Sequence, residues 1–233
     1  MLDRFLTAIF PRRCAYCGRV VKSDVRMCPD CAEKVERIKG EICKRCGREK
    51  KSCSCAGSVY FDALAAPFYY GGVVRKGMHA FKFRNSPRNA DAFAFEMAQT
   101  VRERYADKEF DFIAAVPMDK KSIRFRGYNQ VLLLAKALSE NLGVPFDENL
   151  LYKLYPTEKQ HGLSRIMRKG NLTGVFELSH PEKAKGKRVL LCDDVSTSGE
   201  TLNECAKMLW LYGAEEIYCI TLALTVNKKD ERR

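Results

Sequence analysis

The sequence predicts an α/β domain with a mostly parallel sheet, preceded by a small cysteine-rich domain. Eight of the eleven cysteines lie between Cys14 and Cys55, and the other three are in apolar stretches near the end of the sequence. After residue 60, short apolar runs alternate with segments whose apolar residues have helical spacing. Such alternation is typical of a mostly parallel sheet covered by helices on both faces. We therefore expect two domains, residues 1–57 and residues 58–233.

The composition limits the class of protein. The chain has 233 residues, of which 46% are hydrophobic, and its formal net charge is +12. This charge suggests polyanionic partners, although solubility alone explains part of it. We find no run of the roughly eighteen apolar residues that a membrane span needs, and the first ten residues are too short and too charged for a signal peptide. We expect a cytoplasmic protein, in which clustered cysteines bind metal more often than they form disulfides.

The clustered cysteines form two groups with the spacing of zinc ligands. The groups are Cys14, Cys17, Cys28 and Cys31, then Cys43, Cys46, Cys53 and Cys55. Each group offers four thiolates and no open position, so we expect about two structural zinc ions in a double zinc ribbon. The CxC spacing of the last pair makes the second site less regular, and knuckles can interleave, so the pairing stays open. A domain this small, with few large apolar side chains, needs such a metal to fold.

The pattern after residue 60 predicts each element of the α/β domain in turn. Helical spacing of apolar residues predicts helices over 73–83, 90–105, 129–142 and 201–212. Apolar runs predict an extended segment over 61–70 and buried strands over 111–117, 187–194 and 217–224. Glycines at 71, 143 and 213 lie where these elements turn or end. Cys192, Cys205 and Cys219 are expected in the core as small hydrophobic residues.

One stretch, VLLCDDVSTSGET over residues 189–201, carries the most specific chemistry. A buried strand delivers Asp193 and Asp194 at its carboxyl end, where open α/β sheets bind ligands. Small hydroxyl-bearing residues follow and lead directly into a helix, whose N-terminus favours a phosphate. The two carboxylates suit vicinal hydroxyls and leave an edge for hydrated Mg²⁺. A phosphate pocket beside a carboxylate pair suits ribose 5-phosphate.

These residues closely resemble the motif with which type I phosphoribosyltransferases bind 5-phosphoribosyl-1-pyrophosphate (PRPP). An acid pair also follows a strand in phospho-receiver and metal-dependent domains, but those lack the STSG turn. The resemblance implies a type I phosphoribosyltransferase-like, mostly parallel sheet flanked by helices, with Asp193 and Asp194 as the catalytic pair that binds the ribose hydroxyls. The implied PRPP-binding residues are Val195, Ser196, Thr197, Ser198, Gly199 and Thr201.

Two basic segments are candidates for contact with pyrophosphate or with DNA. The first contains Lys82 and Arg84, beside alternating Phe81 and Phe83. Aromatic and basic residues together can bind a single strand, but we expect both phenylalanines in the core. The second segment is predicted as a loop after the strand over 111–117, where cations would neutralise a leaving group or follow a DNA backbone. Its members are Lys120, Lys121, Arg124 and Arg126.

Three further segments have predicted roles. His79 is expected to be structural, because no Cys, Asp or Glu accompanies it at ligand spacing. Residues 160–169 are polar and basic and are consistent with a mobile hood over the site. Residues 1–10 fit an amphipathic helix that covers the second domain.

The whole sequence resembles the ComF family of competence proteins, which join a zinc ribbon to a phosphoribosyltransferase domain. The matching stretches are the cysteine pairs, HAFKFR at 79–84, Val116-Pro117, RGYNQ at 126–130, the series from residue 160 to 176, and the phosphate loop. Ser196 and Ser198 depart from residues common in the family, as does the CxC pair. The resemblance implies a role in natural transformation, with single-stranded DNA and a helicase-like uptake protein as partners.

Two classes of function remain open at this stage. One is a Mg²⁺-dependent enzyme that transfers phosphoribosyl from PRPP to a nucleobase or another small acceptor. The other is a binding protein that uses the same pocket to sense PRPP or to hold a DNA end while the zinc ribbon contacts a partner. No base-recognition signature stands out in the sequence, which argues against ordinary nucleobase salvage.

Overall fold

The computed structural model describes residues 11–53, 55–154 and 175–226. Its main sheet has six strands and only parallel pairings, in the order β1-β8-β7-β3-β4, with β2 also paired to β8. A separate antiparallel pair is formed by β5 and β6. The strands are β1 Ala63–Ala65, β2 Phe68–Tyr69, β3 Phe112–Ala115, β4 Phe146–Asp147, β5 Leu151–Lys153, β6 Phe176–Leu178, β7 Arg188–Ser196 and β8 Glu216–Leu224.

Helices cover both faces of this sheet, as the alternating pattern predicts. The α-helices of the described residues are α1 Pro29–Lys34, α2 Gly72–Phe83, α3 Asn89–Arg104, α4 Lys120–Arg126, α5 Gln130–Leu142 and α6 Glu200–Leu211. Helix α5 shows why the boundaries could be predicted. The Asn129 side chain accepts hydrogen bonds from the first free backbone N–H groups, and Gly143 ends the helix in the left-handed conformation. The predicted α/β class with a mostly parallel sheet is confirmed.

The core lies on both sides of the central strands β7 and β8. One apolar cluster packs under α2, α3 and α5, and a second lies on the face covered by α6. Cys192, Cys205 and Cys219 are fully buried in these clusters, as predicted. Phe81 is also fully buried, but Phe83 is 50% exposed, so its predicted place in the core is wrong. The two side chains are two positions apart on a helix and therefore point in different directions.

The cysteine-rich segment packs directly on the α/β domain. Tyr16, between two cysteines of the first group, is buried against the rings of Phe68 and Phe93, with centroids 5.9 and 5.3 Å away. Gly77 of α2 leaves room for this segment, because a Cβ atom there would lie 2.7 Å from the carbonyl oxygen of Ala15. The ribbon and the α/β domain therefore share one hydrophobic core.

Some predicted segments lie outside the described residues, namely the N-terminal helix over 1–10 and the hood over 160–169. His79 lies in α2 and is exposed, with its ring 5.0 Å from that of Phe83. None of the helices within the three described ranges is long and apolar enough to cross a membrane.

Candidate functional site

The acid pair lies at the carboxyl end of a central strand. Strand β7 runs between β3 and β8, and it continues through Asp193 and Asp194 to Ser196. The loop between β7 and α6 is therefore shorter in the structure than the sequence predicts. Val195 and Ser196 belong to the strand, with Ser196 buried, and Thr201 lies in the first turn of α6. The pairing with β8 continues to Ser196, which lies opposite Leu224, and thereby orders the end of the strand.

A lysine and a glutamine hold the second carboxylate. The Oδ2 atom of Asp194 accepts a hydrogen bond from Gln130 Nε2 at 2.8 Å. The same atom forms an ion pair with Lys82 Nζ, also at 2.8 Å. The Asp194 side chain is only 9% exposed, and that of Lys82 is 18% exposed. Lys82 was a candidate for contact with pyrophosphate or DNA. In this structure its ammonium group forms an ion pair with Asp194.

The first carboxylate, that of Asp193, has a raised pKa. Asp193 Oδ1 accepts a hydrogen bond from the backbone N–H of Asp194 at 2.7 Å. Desolvation of the Asp193 carboxyl group, together with the negative charge of Asp194 beside it, raises the pKa of Asp193 to about 8. The hydrogen bond from Asp194 N–H and the charge of Lys82 oppose this rise without cancelling it. Near neutral pH the pair therefore holds about one proton.

The turn between β7 and α6 presents polar groups to solvent. Thr197 and Ser198 are exposed, and Gly199 precedes α6 with φ +83°, a left-handed conformation that side chains disfavour. Helix α6 begins at Glu200, so its first backbone N–H groups point back toward this turn. Exposed hydroxyls, the N-terminal N–H groups of α6 and the positive end of the helix dipole together suit a phosphate monoester.

A buried arginine of the cysteine-rich segment donates a hydrogen bond to the backbone of this turn. Arg48 is 7% exposed, and its Nη2 donates to the carbonyl oxygen of Thr197 at 2.9 Å. Nε and Nη2 also donate to the carbonyl oxygen of Thr225, at 3.0 and 2.9 Å. Sequence analysis did not single out Arg48. Its only local signal is its place directly after a Cys-Gly pair, which says nothing about a partner 149 positions away.

The other predicted cations differ in exposure, and only Arg126 is partly buried. Lys120, Lys121 and Arg124 are exposed on α4, so the predicted loop is in fact a short helix. Asp119 caps it by accepting hydrogen bonds from the backbone and side chain of Ser122. Arg126 is partly buried, donates to Met118 Sδ at 3.4 Å and lies 5.3 Å from the ring centroid of Phe83. Arg84 is exposed just after α2.

The eight clustered cysteines form two separate tetrads. In each tetrad the four Sγ atoms lie within 4.8 Å of one another, and the tetrads match the two groups of the sequence without interleaving. Sulfur–sulfur distances such as 3.7 Å between Cys17 and Cys28, and 3.6 Å between Cys43 and Cys55, are too long for disulfides. A tetrahedral zinc with four thiolates places its sulfurs about 3.8 Å apart. Both tetrads therefore fit structural zinc.

The backbone around the first tetrad has the turn that such a site needs. The N–H of Gly18 donates to the carbonyl oxygen of Cys14 at 2.8 Å, and Gly18 has φ +78°. The glycine after the CxxC pair thus closes the knuckle, because it adopts this left-handed conformation without a Cβ clash.

Comparison with known families identifies both parts of the chain. Residues 5–60 match the double zinc ribbon domain, and residues 130–233 match the phosphoribosyl transferase domain. Among solved structures, an allosteric regulatory enzyme of purine biosynthesis covers 61% of this chain and 29% of its own, at 19% identity and TM-score 0.44.

Curated relatives are similar over most of the chain. The DNA utilization protein YhgH of Salmonella typhimurium is 29% identical over 91% of this chain and 90% of its own length. The competence protein ComFC of Bacillus subtilis is 28% identical over 82% of this chain and 80% of its own. Competence protein F of Haemophilus influenzae is 29% identical over 92% of this chain and 97% of its own.

Proposed function

Because the chain belongs to the ComF family, whose members combine a zinc ribbon with a phosphoribosyl transferase domain, we propose that it binds PRPP and handles incoming single-stranded DNA during natural transformation. In this proposal the protein acts in the cytoplasm and has a helicase-like uptake protein as a further partner. One observation carries the PRPP part of this proposal. The acid pair of β7 is followed at once by an exposed polar turn and the N-terminus of α6.

The turn would bind the 5′-phosphate. Thr197 and Ser198 offer exposed hydroxyls, and the backbone at Gly199 lets the chain turn so that the first N–H groups of α6 face the same point. These groups carry a partial positive charge, and the nearest side-chain acceptor, Ser198 Oγ, lies 3.5 Å from the N–H of Glu200. A phosphate dianion would gain several charge-assisted hydrogen bonds there.

The carboxylate pair would bind the ribose. Asp193 and Asp194, once ionised, accept hydrogen bonds from the vicinal hydroxyls. Magnesium fits the remaining carboxylate edge and would supply positive charge for the pyrophosphate of PRPP. Lys82 already neutralises Asp194, so the site keeps a cation at the acid pair before any ligand arrives.

A second candidate function is a true Mg²⁺-dependent phosphoribosyltransferase that acts on a nucleobase or another small acceptor. The intact acid pair and turn favour it, because a protein that only binds DNA has no need of a carboxylate pair beside a phosphate site. The exposed cations of α4 would then lie beside the pyrophosphate. A transfer assay with a panel of bases, with and without single-stranded DNA, separates turnover from binding.

Replacement of both Asp193 and Asp194 by Asn is expected to weaken PRPP binding strongly while the protein stays folded. Each lost charge-assisted contact should cost about 1–3 kcal/mol. Calorimetric titration with PRPP and Mg²⁺ measures the effect. Asp147→Asn removes a charge at the edge strand β4 and should leave PRPP affinity as it is. Equal PRPP affinity in the wild type and the double variant would refute the assignment of the acid pair.

PRPP binding is also expected to release protons. With the pKa of Asp193 raised to about 8, the free acid pair holds about one proton at pH 7, and the bound pair must give it up to accept the ribose hydroxyls. Affinity should therefore rise with pH, by up to about tenfold per unit, and level off above pH 8. Calorimetry in buffers of different ionisation enthalpy counts the protons. When PRPP binds to the Asp193→Asn variant, only protons from PRPP itself should be released. Release of the same number of protons by the wild type and the variant would contradict the prediction.

A further inference from the structure

Helix α2 has one face in the core and one face in solvent. Its buried residues are Val74, Gly77, Met78 and Phe81. Its exposed side chains are at positions 75, 76, 79 and 83, a spacing that places them along one side of a helix. They are Arg75, Lys76, His79 and Phe83. The exposed side therefore combines two permanent cations, an imidazole and an aromatic ring.

The aromatic part of this side continues onto α4. The ring of Phe83 lies 6.4 Å from that of Phe125, centroid to centroid, and 5.0 Å from that of His79. Phe83 is 50% exposed and Phe125 is 79% exposed. Two neighbouring rings with this much free surface form an exposed apolar patch rather than single scattered residues. They offer flat apolar faces to a ligand.

The charge of the same region has one sign. Neither α2 nor α4 contains an acidic residue. Within the ranges that the structure describes, Arg75, Lys76 and Arg84 form no ion pair. These three residues line a depression of about 430 Å³ together with Gly72 and His79. A larger cavity of about 1050 Å³ shares Lys76 and Arg84 and reaches Arg12 of the ribbon, which is paired there with Asp91, an acidic residue that also lines the cavity.

We infer that this region, called here the α2–α4 surface, binds single-stranded nucleic acid. It comprises Arg75, Lys76, His79, Phe83, Arg84 and Phe125. Bases would stack on the two phenylalanine rings, and phosphates would lie over the cations of α2. A duplex keeps its bases stacked inside and cannot use exposed rings in this way, and an acidic protein would need the cations alone. The inference rests on the proposed handling of single-stranded DNA and specifies where the strand binds.

The surface also places the strand beside the PRPP site. Lys82 lies on the same helix as the exposed cations, and its ammonium group contacts Asp194. A strand on the α2–α4 surface would therefore lie next to the acid pair rather than at a remote face. Lys120, Lys121 and Arg124, which are candidates for contact with pyrophosphate or DNA, would extend this surface along α4.

Two double variants separate stacking from charge. Single-strand binding is measured by fluorescence anisotropy of a labelled oligothymidylate at several salt concentrations. Phe83→Ala with Phe125→Ala should weaken binding about 10- to 100-fold at every salt concentration and leave the salt slope unchanged. Arg75→Ala with Lys76→Ala should make the slope of log K against log salt shallower by about 1.4. Lys136→Ala with Lys185→Ala removes the same charge elsewhere and should alter the slope little.

The outcomes distinguish this inference from the proposed function. If the wild type does not bind the oligonucleotide, the surface and the DNA part of the proposed function are both wrong, whereas PRPP titration still tests the other part. If the wild type binds and the phenylalanine variant binds equally well, only the surface is wrong. A duplex that binds as tightly as the single strand, or a control variant that changes the slope equally, also overturns it. Should the double phenylalanine variant fail to fold, Phe125→Ala alone gives the same test.

Discussion

Replacement of Arg48 by alanine is expected to weaken PRPP binding about 10- to 100-fold, although Arg48 would not touch the ligand. Its guanidinium group donates to the backbone carbonyls of Thr197 and Thr225 from a buried position. Without it, two carbonyl groups lose a charged donor, each at a cost of about 1.5–3 kcal/mol. Because Thr197 begins the phosphate-binding turn, the turn should lose its fixed position and with it part of its affinity.

The measurement is PRPP titration combined with thermal unfolding of the same samples. Arg48→Lys keeps the charge but not the planar fork, so it should recover only part of the affinity. Arg45→Ala changes an exposed arginine of the same cysteine segment and should bind PRPP normally. If Arg48→Ala lowers the melting temperature but its folded fraction binds PRPP like the wild type, the arginine serves only stability.

Replacement of Gly77 by alanine is expected to lower the stability of the whole protein, against the usual trend for helices. Alanine in a helix interior is normally favoured over glycine by about 1 kcal/mol. At residue 77, however, the added Cβ would lie 2.7 Å from Ala15 O and 3.0 Å from Tyr16 Cα. Both are backbone atoms of the first cysteine knuckle, so neither a rotamer change nor a small shift relieves the clash.

We expect a net loss of about 2 kcal/mol, which corresponds to a fall of about 4–8 °C in melting temperature. Differential scanning calorimetry of the zinc-loaded protein measures it. Gly71→Ala is the matched control, since Gly71 precedes the same helix, has extended backbone and has nothing within 4 Å of its Cβ position. A Gly77→Ala protein that melts at or above the wild-type temperature would show that the knuckle does not pack tightly on α2.

The sequence allowed prediction of those features whose partners are close along the chain. Cysteine pairs, the strand that ends at Asp194 and the glycine-terminated helices each carry a local signal. Helix α4 was missed because a short basic segment has no apolar periodicity. Two local signals nevertheless mark the ends of this helix, namely Asp119, which is its N-cap, and Gly127, which terminates it.

Other features could not be found in this way. The hydrogen bonds of Arg48 join residues 149 and 177 positions apart, and no local pattern marks such a pair. The same holds for Lys82, whose contact with Asp194 depends on how α2 packs on the sheet. The exposure of Phe83 is a different case. The predicted helix over 73–83 already implied that Phe81 and Phe83 point in different directions, so only one of them fits a core position.

The place of β8 in the sheet has a consequence for folding during synthesis. This strand lies between β1 and β7, and its partner β1 is more than 150 positions earlier in the sequence. While the ribosome is still making the chain, β1 has no strand partner, and the part of α3 that packs on β8 stays uncovered until residues 216–224 emerge. The cysteine tetrads need only short loops and can take up metal much earlier. The nascent protein therefore has a metal-bound ribbon before its sheet is complete. Its unpaired strands need protection from aggregation until β8 inserts between β1 and β7.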